Sequence, residues 1–292
     1  MLLIAGITNL ETTVDVEGFP YEYAKSRFAF NGVHDRVGGV GYNLARVCSA
    51  LDQPVLLATM LGKDLVGDVL EASLRTLPHV SPVGIQRVHE RSLRTVVLKS
   101  PDGKGAMNTD LKDSQEASYP AAARQKLLKR ATRVHVTNIN WALDFAREAS
   151  ERGLSVPVDV QNIRSPREDA YNDRFLALAD TVFLSGENLE CPAKEAIGTL
   201  MRRFPVQRVI VTLGAKGVLF SERGQDMTSS PAEPLAPSDT PNQTGAGDAF
   251  AAGVLAALER GEGLCEAVEA GQAAARLWIV GEIRPASTAS NE

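Results

Sequence analysis

Short apolar, β-rich runs recur along the chain at Leu2 to Ile7, Val55 to Thr59, Val134 to Thr137, Val156 to Val160, Thr181 to Leu184 and Val209 to Leu213. Runs of this length with little polar alternation fit strands buried on both faces. Between them, apolar positions recur at helical spacing over Gly41 to Leu51, Leu65 to Leu77, Ala121 to Ala131, Trp141 to Arg152, Lys194 to Phe204, Ala249 to Arg260 and Cys265 to Val280. Strands alternating with helices predict a mainly parallel sheet covered on both faces, an α/β fold of layered type. One stretch breaks the rhythm. From Val83 to Thr109 the pattern alternates as in strands, with a hairpin-type Asp102-Gly103 turn inside it. Together with Val14 to Arg36 it predicts a small sheet outside the main one, placed as a lid over a site. The Ser, Thr and Ala-rich tail from Pro285 to Glu292 reads as a frayed end.

Composition narrows the class. With 292 residues, 44% of them hydrophobic, the chain can bury the core of one large domain spanning 1–292, with the lid segments as its appendage. Charged residues make up 23% and the net charge is -5, with Lys and Arg scattered, which argues against a nucleic-acid groove. Cys48, Cys191 and Cys265 stand at long, unrelated spacings without a CxxC, so a reducing compartment fits better than a disulfide framework or a zinc site. His34, His79, His89 and His135 are isolated from one another and read as surface or locally hydrogen-bonded residues. The opening apolar run lacks a basic flank and a small-residue cleavage site, and no stretch approaches the roughly 18 apolar residues of a membrane span. A cytoplasmic protein acting on a small molecule is the expectation.

Two glycine-rich segments carry the chemistry. Thr244-Gly245-Ala246-Gly247-Asp248 follows a Pro, Asp and Ser-rich loop and runs into a helix of small apolar residues. Without side chains at Gly245 and Gly247, backbone N–H groups at a helix start can approach an anion closely, and the helix dipole favours negative charge there. Asp248 at the same end is placed to take a proton from an acceptor hydroxyl as a phosphoryl group arrives. The plain structural reading is that Thr244 caps the helix and Asp248 complements its dipole. The second segment, Gly38-Gly39-Val40-Gly41-Tyr42-Asn43-Leu44-Ala45, lets a ligand touch the backbone, and Asn43 can both donate to and accept from sugar hydroxyls. As a dinucleotide fingerprint it fails, because Leu44 stands where Gly or Ala is needed and no strand is predicted directly before it.

Taken together these residues resemble the ribokinase-like, phosphofructokinase-B-type carbohydrate kinases, whose signatures are a Gly-Gly-x-x-x-Asn-x-Ala segment and a Thr-Gly-Ala-Gly-Asp segment. Gly6-Ile7-Thr8-Asn9-Leu10-Glu11 is similar to that family's N-terminal Gly-x-x-Asn-x-Asp, and Val211-Thr212-Leu213-Gly214-Ala215-Lys216-Gly217 to its nucleotide-side segment. The resemblance implies a three-layer α/β/α fold with a small β-sheet lid, and transfer of a phosphoryl group from ATP, with Mg²⁺, to a hydroxyl of a sugar, sugar phosphate or nucleoside. It implies Asp248 as general base and Gly245, Ala246 and Gly247 as the anion hole. Asn9, Glu11, Gly38, Gly39, Asn43 and Asp248 would hold the acceptor, while Thr212, Gly214, Gly217, Thr244, Gly245 and Gly247 would lie on the ATP. Relatives often dimerise through their lids, so a homodimer is expected, and the aromatics Phe19, Tyr21, Tyr23, Phe28 and Phe30 would suit such a contact or stacking on a nucleobase.

The chain departs from the pattern in three places. Glu11 is one methylene longer than the usual Asp. Asn242 is neutral where an Asp generally precedes the Thr-Gly-Ala-Gly-Asp segment, with Asp239 further upstream, which weakens the case for a monovalent-cation site. The segment Leu184-Ser185-Gly186-Glu187-Asn188-Leu189-Glu190 puts Ser185 and Asn188 where relatives carry Asn and Glu near the magnesium, so Glu187 is the candidate substitute, with Glu190 as its rival. These losses keep a non-catalytic, ligand-binding or regulatory protein of the same fold as the alternative.

Overall fold

The computed structural model describes residues 1–235 and 244–283; Asp239, the Pro241-Asn242-Gln243 segment and the tail from Pro285 lie outside them. The first half runs β1 (Leu2–Ala5), β2 (Asn9–Asp15), β3 (Val33–Gly38), α1 (Val40–Ala50), β4 (Val55–Gly62), α2 (Leu65–Arg75), β5 (Val80–Ser81), β6 (Ile85–His89), β7 (Arg94–Lys99) and β8 (Gly105–Asp110). The second half runs α3 (Ala121–Leu128), β9 (Arg133–Thr137), α4 (Leu143–Glu151), β10 (Pro157–Asp159), α5 (Ala170–Leu176), β11 (Thr181–Ser185), α6 (Ala193–Arg203), β12 (Arg208–Thr212), β13 (Val218–Glu222), β14 (Thr228–Ser230), α7 (Ala246–Glu259) and α8 (Leu264–Ile279).

The large sheet has the order β14-β13-β12-β11-β10-β9-β1-β4-β5, with β6 also on β4. From β12 to β5 neighbours pair in parallel, while β13 and β14 close one edge antiparallel. Strand alternation splits the core in two. Leu2 and Ile4 face α1, α7 and α8, whereas Leu3 and Ala5 face α3, α4 and α6. Both sets are fully buried, as expected of a parallel sheet sandwiched between helix layers. The packing of α7 on α8 depends on small residues: a Cβ added to Gly253 would lie 2.6 Å from the Ala270 carbonyl oxygen.

Four strands form the second sheet, in the order β3-β2-β7-β8. Its membership corrects the expected lid segments, 14–36 and 83–109. The first lid strand already starts at Asn9, most of 16–32 is loop, and Ile85–His89 joins the main sheet on β4 instead. Alternation alone cannot tell which sheet a half-buried strand joins. The Asp102-Gly103 turn does connect an antiparallel pair, β7 with β8. A strand, β3, also directly precedes α1, contrary to expectation, although it belongs to the lid and not to a βα unit of the main sheet.

The histidine reading also needs one correction. His89 is locally bonded, with Nδ1 2.6 Å from Asp113 Oδ1, but His135 sits in mid-sheet against Phe183 with neither ring nitrogen partnered among the described residues. Burial pushes its pKa down to about 3, so it is neutral at physiological pH.

Candidate active site

The carboxyl ends of the parallel strands face the lid, and ligands of open α/β sheets bind at that edge. The chain leaves β1 at Ala5, turns, and enters the lid at Asn9, so Asn9 and Glu11 stand above the strand ends. On β2 both are buried, at 3% and 7% exposure. Asn9 Nδ2 donates to Thr95 Oγ1 of β7 at 2.6 Å, while Asn9 Oδ1, buried behind Gly38 and Gly39, has no partner among the described residues. Glu11 is gripped from the neighbouring strand: Arg36 Nε and Nη2 reach its Oε1 at 2.7 and 2.6 Å.

The start of α1 is packed tightly into this wall. Gly39 adopts φ 93°, and a Cβ there would come within 2.7 Å of the Ile7 carbonyl oxygen. A Cβ on Gly41 would lie 2.6 Å from the Gly6 carbonyl group. The Ile7 carbonyl accepts from the backbone N–H groups of Gly41 and Tyr42 at 3.0 and 3.3 Å, which occupies the helix's first donors. Asn43, one turn in, points across the cleft: its Nδ2 donates to Asp248 Oδ2 at 2.7 Å.

The start of α7 is built differently. Gly245 takes a left-handed conformation, φ 91°, as the residue before the helix, and rests on the Trp278 ring of α8, whose Nε1 donates to the Thr244 carbonyl at 3.0 Å. A side chain on Gly247 would meet nothing within 4 Å among the described residues, so this side of the first turn is open there. Asp248, half-buried in that turn, has its pKa pushed up to about 6, mainly by desolvation; Glu11 adds to the rise, while the Asn43 hydrogen bond and the Arg36 charge oppose it. A carboxylate with this pKa is ionised at pH 7 yet basic enough to take a proton.

Asp159, at the end of β10, is the residue that motif reading missed. It is 7% exposed, and its Oδ1 accepts from the Gln161 backbone N–H at 2.7 Å. Burial and the nearby charge of Asp248 push its pKa up to about 7. A buried carboxylate beside a second negative charge has its proton affinity raised, a situation that a bound cation relieves. No recognisable spacing links Asp159 to Asp248; the one available signal was a lone acid ending a buried apolar run.

The nucleotide-side candidates gather at the neighbouring strand ends. Thr212 ends β12 beside Ser185 of β11, and its carbonyl accepts from the Gly186 N–H at 2.8 Å. Gly214 opens the turn that follows at φ 57° with open space where a side chain would be. Gly217 (φ 94°) is crowded instead against the Ser230 and Ala232 backbone, so its lack of a side chain serves strand packing. Glu187 is exposed and lines a 610 Å³ cavity with Asn162, Arg164, Asn188, Leu189 and Glu190. Glu190 is engaged by Arg164 at 2.7 Å. Among the described residues no three acids, histidines or cysteines form a ready metal cage.

A three-layer α/β/α domain with a β lid, two glycine-rich helix starts meeting over the strand ends and a desolvated Asp between them defines a small-molecule phosphotransferase of ribokinase-like fold. The profile of the pfkB family carbohydrate kinases matches residues 1–282, and the chain belongs to that family. It is 26% identical over 264 residues to the acarbose 7(IV)-phosphotransferase of Actinoplanes sp., covering 90% of this chain and 86% of that one. A 91-residue stretch is 44% identical to a Klebsiella pneumoniae fructokinase, over 30% of this chain and 28% of the relative. Among solved structures, a microbiome-derived acarbose kinase superposes with a TM-score of 0.82 at 22% identity, covering 96% of this chain and 92% of the other. Arabidopsis thaliana ribokinase, solved with ribose and ATP, gives 0.80 at 20% identity, covering 95% and 92%.

Proposed function

We propose that this kinase transfers the γ-phosphoryl group of ATP to a hydroxyl of a sugar or nucleoside, with Asp248 as general base. The observation that carries the reading is the place of Asp248: a desolvated carboxylate on the first turn of α7, held by Asn43 at 2.7 Å, beside Gly247, where an added side chain would meet nothing within 4 Å among the described residues. The acceptor hydroxyl lies between the lid wall of Asn9, Glu11, Gly38 and Gly39 and the Asp248 carboxylate. Asp248 takes its proton as the oxygen attacks phosphorus. The amides of Gly245, Ala246 and Gly247, with the helix dipole behind them, hold the charge that spreads onto the phosphoryl oxygens. Thr212, Gly214 and Thr244 border the donor side; Gly217 shapes the strand turn beneath it.

Mg²⁺ fits this site as an ion arriving with the nucleotide, because such sites bind it through one or two carboxylates plus phosphates. Asp159 is the better-placed carboxylate and Glu187 the more distant one, acting through water. When bound, the ion neutralises phosphate charge. No described helix is long and apolar enough to cross a membrane.

The names of the relatives favour sugar acceptors, including large ones such as acarbose, and give no support to the alternative of a non-catalytic member of the fold. The test is ADP release with Mg-ATP against pentoses, hexoses, oligosaccharides, their monophosphates and nucleosides. Acceptor-dependent ADP formation is expected. Bound ATP without turnover across the whole panel would overturn the reading in favour of a regulatory role.

A further inference from the structure

The acceptor wall carries an ion pair that none of the family motifs contains. Arg36 stands directly opposite Glu11 in the antiparallel β2–β3 ladder, where side chains on one face are close neighbours. Two nitrogens of its guanidinium, Nε and Nη2, converge on a single carboxylate oxygen, Oε1, at 2.7 and 2.6 Å. Glu11 is 7% exposed while the Arg36 side chain is 35% exposed, so the carboxylate end of this charge-assisted grip is held away from water. Its other oxygen, Oε2, lies over the Gly38 backbone, 3.3 Å from where a Cβ on that residue would stand.

We propose that the Arg36–Glu11 pair is the specificity-determining element of the acceptor site, and that it selects a neutral, polyhydroxyl acceptor, a sugar or nucleoside without a phosphate or carboxylate at the bound end. This rests on the kinase reading above and deepens it.

Charge and hydrogen-bond type both lead there. Arg36 is already neutralised by Glu11, so it offers an incoming anion no unspent charge. Asp248, electrostatically linked to this pair, and Asp159, linked to Asp248, are acids, and a phosphorylated acceptor would add negative charge beside them. Glu11 Oε2 and the Asp248 carboxylate are acceptors only. They call for O–H donors, which a hydroxyl supplies and a phosphate dianion does not. Arg36 also answers why Glu stands at position 11: the carboxylate is held to the guanidinium across the ladder while one oxygen stays toward Gly38.

Acceptor affinity read by calorimetry, with a non-hydrolysable ATP analogue bound, tests this independently of turnover. The probes are ribose, fructose and adenosine, each against its monophosphate. The wild-type protein should bind the neutral member at least about tenfold more tightly, a difference typical of one mismatched charge at a polar site. Glu11→Gln removes the negative charge from the pair and should narrow that ratio about tenfold. Arg36→Lys keeps the charge but loses the two-point grip, and should weaken neutral acceptors about tenfold while nucleotide affinity stays unchanged. Melting curves with nucleotide bound confirm that each variant is folded. Tighter or equal wild-type binding of the monophosphates, failure of every neutral probe to bind, or a ratio unmoved by Glu11→Gln would overturn the proposal. Absence of ADP formation with this selectivity intact would count against the kinase reading alone.

Discussion

The two glycine-rich helix starts look alike in sequence and do opposite things. At α1, Gly39 and Gly41 are filled in from outside: backbone of Gly6 and Ile7 sits where their side chains would be, and the Ile7 carbonyl takes the first helical N–H groups. At α7, Gly245 leans on Trp278, but Gly247 faces open space. The first start is a structural joint between the lid and the main sheet. The second keeps an open side at Gly247 among the described residues, next to the Asp248 carboxylate. A glycine motif thus reports close approach of something, and only the packing tells whether that something is the protein itself. The two starts are tied by one hydrogen bond, Asn43 to Asp248, between residues 205 positions apart.

The largest effect expected along this contrast is at Asp248. Asp248→Asn keeps the shape of the α7 start but removes its proton acceptor, and kcat should fall by about 10³-fold, within the usual range for a lost general base. The melting temperature should not drop, since a desolvated carboxylate is replaced by a neutral amide. Next comes the tie itself. Because the folded pKa of Asp248 is raised to about 6 and the proposed base acts in its ionised form, kcat/KM should fall as pH drops through about 6. Asn43 stabilises the ionised form, so Asn43→Ala should move that acidic limb to higher pH and lower kcat about tenfold at pH 7. A limb that stayed in place would mean that Asn43 holds acceptor only. The smallest effect is expected at Trp278→Phe, which removes the hydrogen bond to the Thr244 carbonyl while keeping the ring against Gly245. A loss of about 1 kcal/mol in stability is expected from denaturant titration, with a modest rise in the KM for ATP.

Much of this molecule could be read from the chain. Buried strands such as Val209 to Leu213 and the small-residue helix after Asp248 are unambiguous because strands buried on both faces and long periodic helices leave strong local patterns. Ala170–Leu176 was missed, being only seven residues long, and so were the antiparallel edge strands β13 and β14. The lid was located but its strands were misassigned, since Ile85–His89 alternates as a lid strand would and yet pairs with β4. Asp248, Asn43, Asn9 and Glu11 announced themselves through motifs. Arg36 and Asp159 did not, because their meaning lies in what the fold brings beside them: Glu11 across a strand ladder and Asp248 across the cleft. His135 shows the same limit, as no local feature marks a histidine without a partner in mid-sheet.

The contrast between the helix starts is the centre of this account, and one paired measurement addresses it: kcat and melting temperature for Gly41→Ala and Gly247→Ala side by side. Gly41→Ala should destabilise the fold by about 2–4 kcal/mol, because the backbone of Gly6 cannot move aside cheaply. Gly247→Ala, with open space before it, should leave stability within about 1 kcal/mol of wild type, and should lower kcat about tenfold or more by crowding the phosphoryl group from the α7 amides. A Gly247→Ala enzyme with undiminished kcat, or a Gly41→Ala protein as stable as wild type, would contradict the division of labour proposed for the two turns.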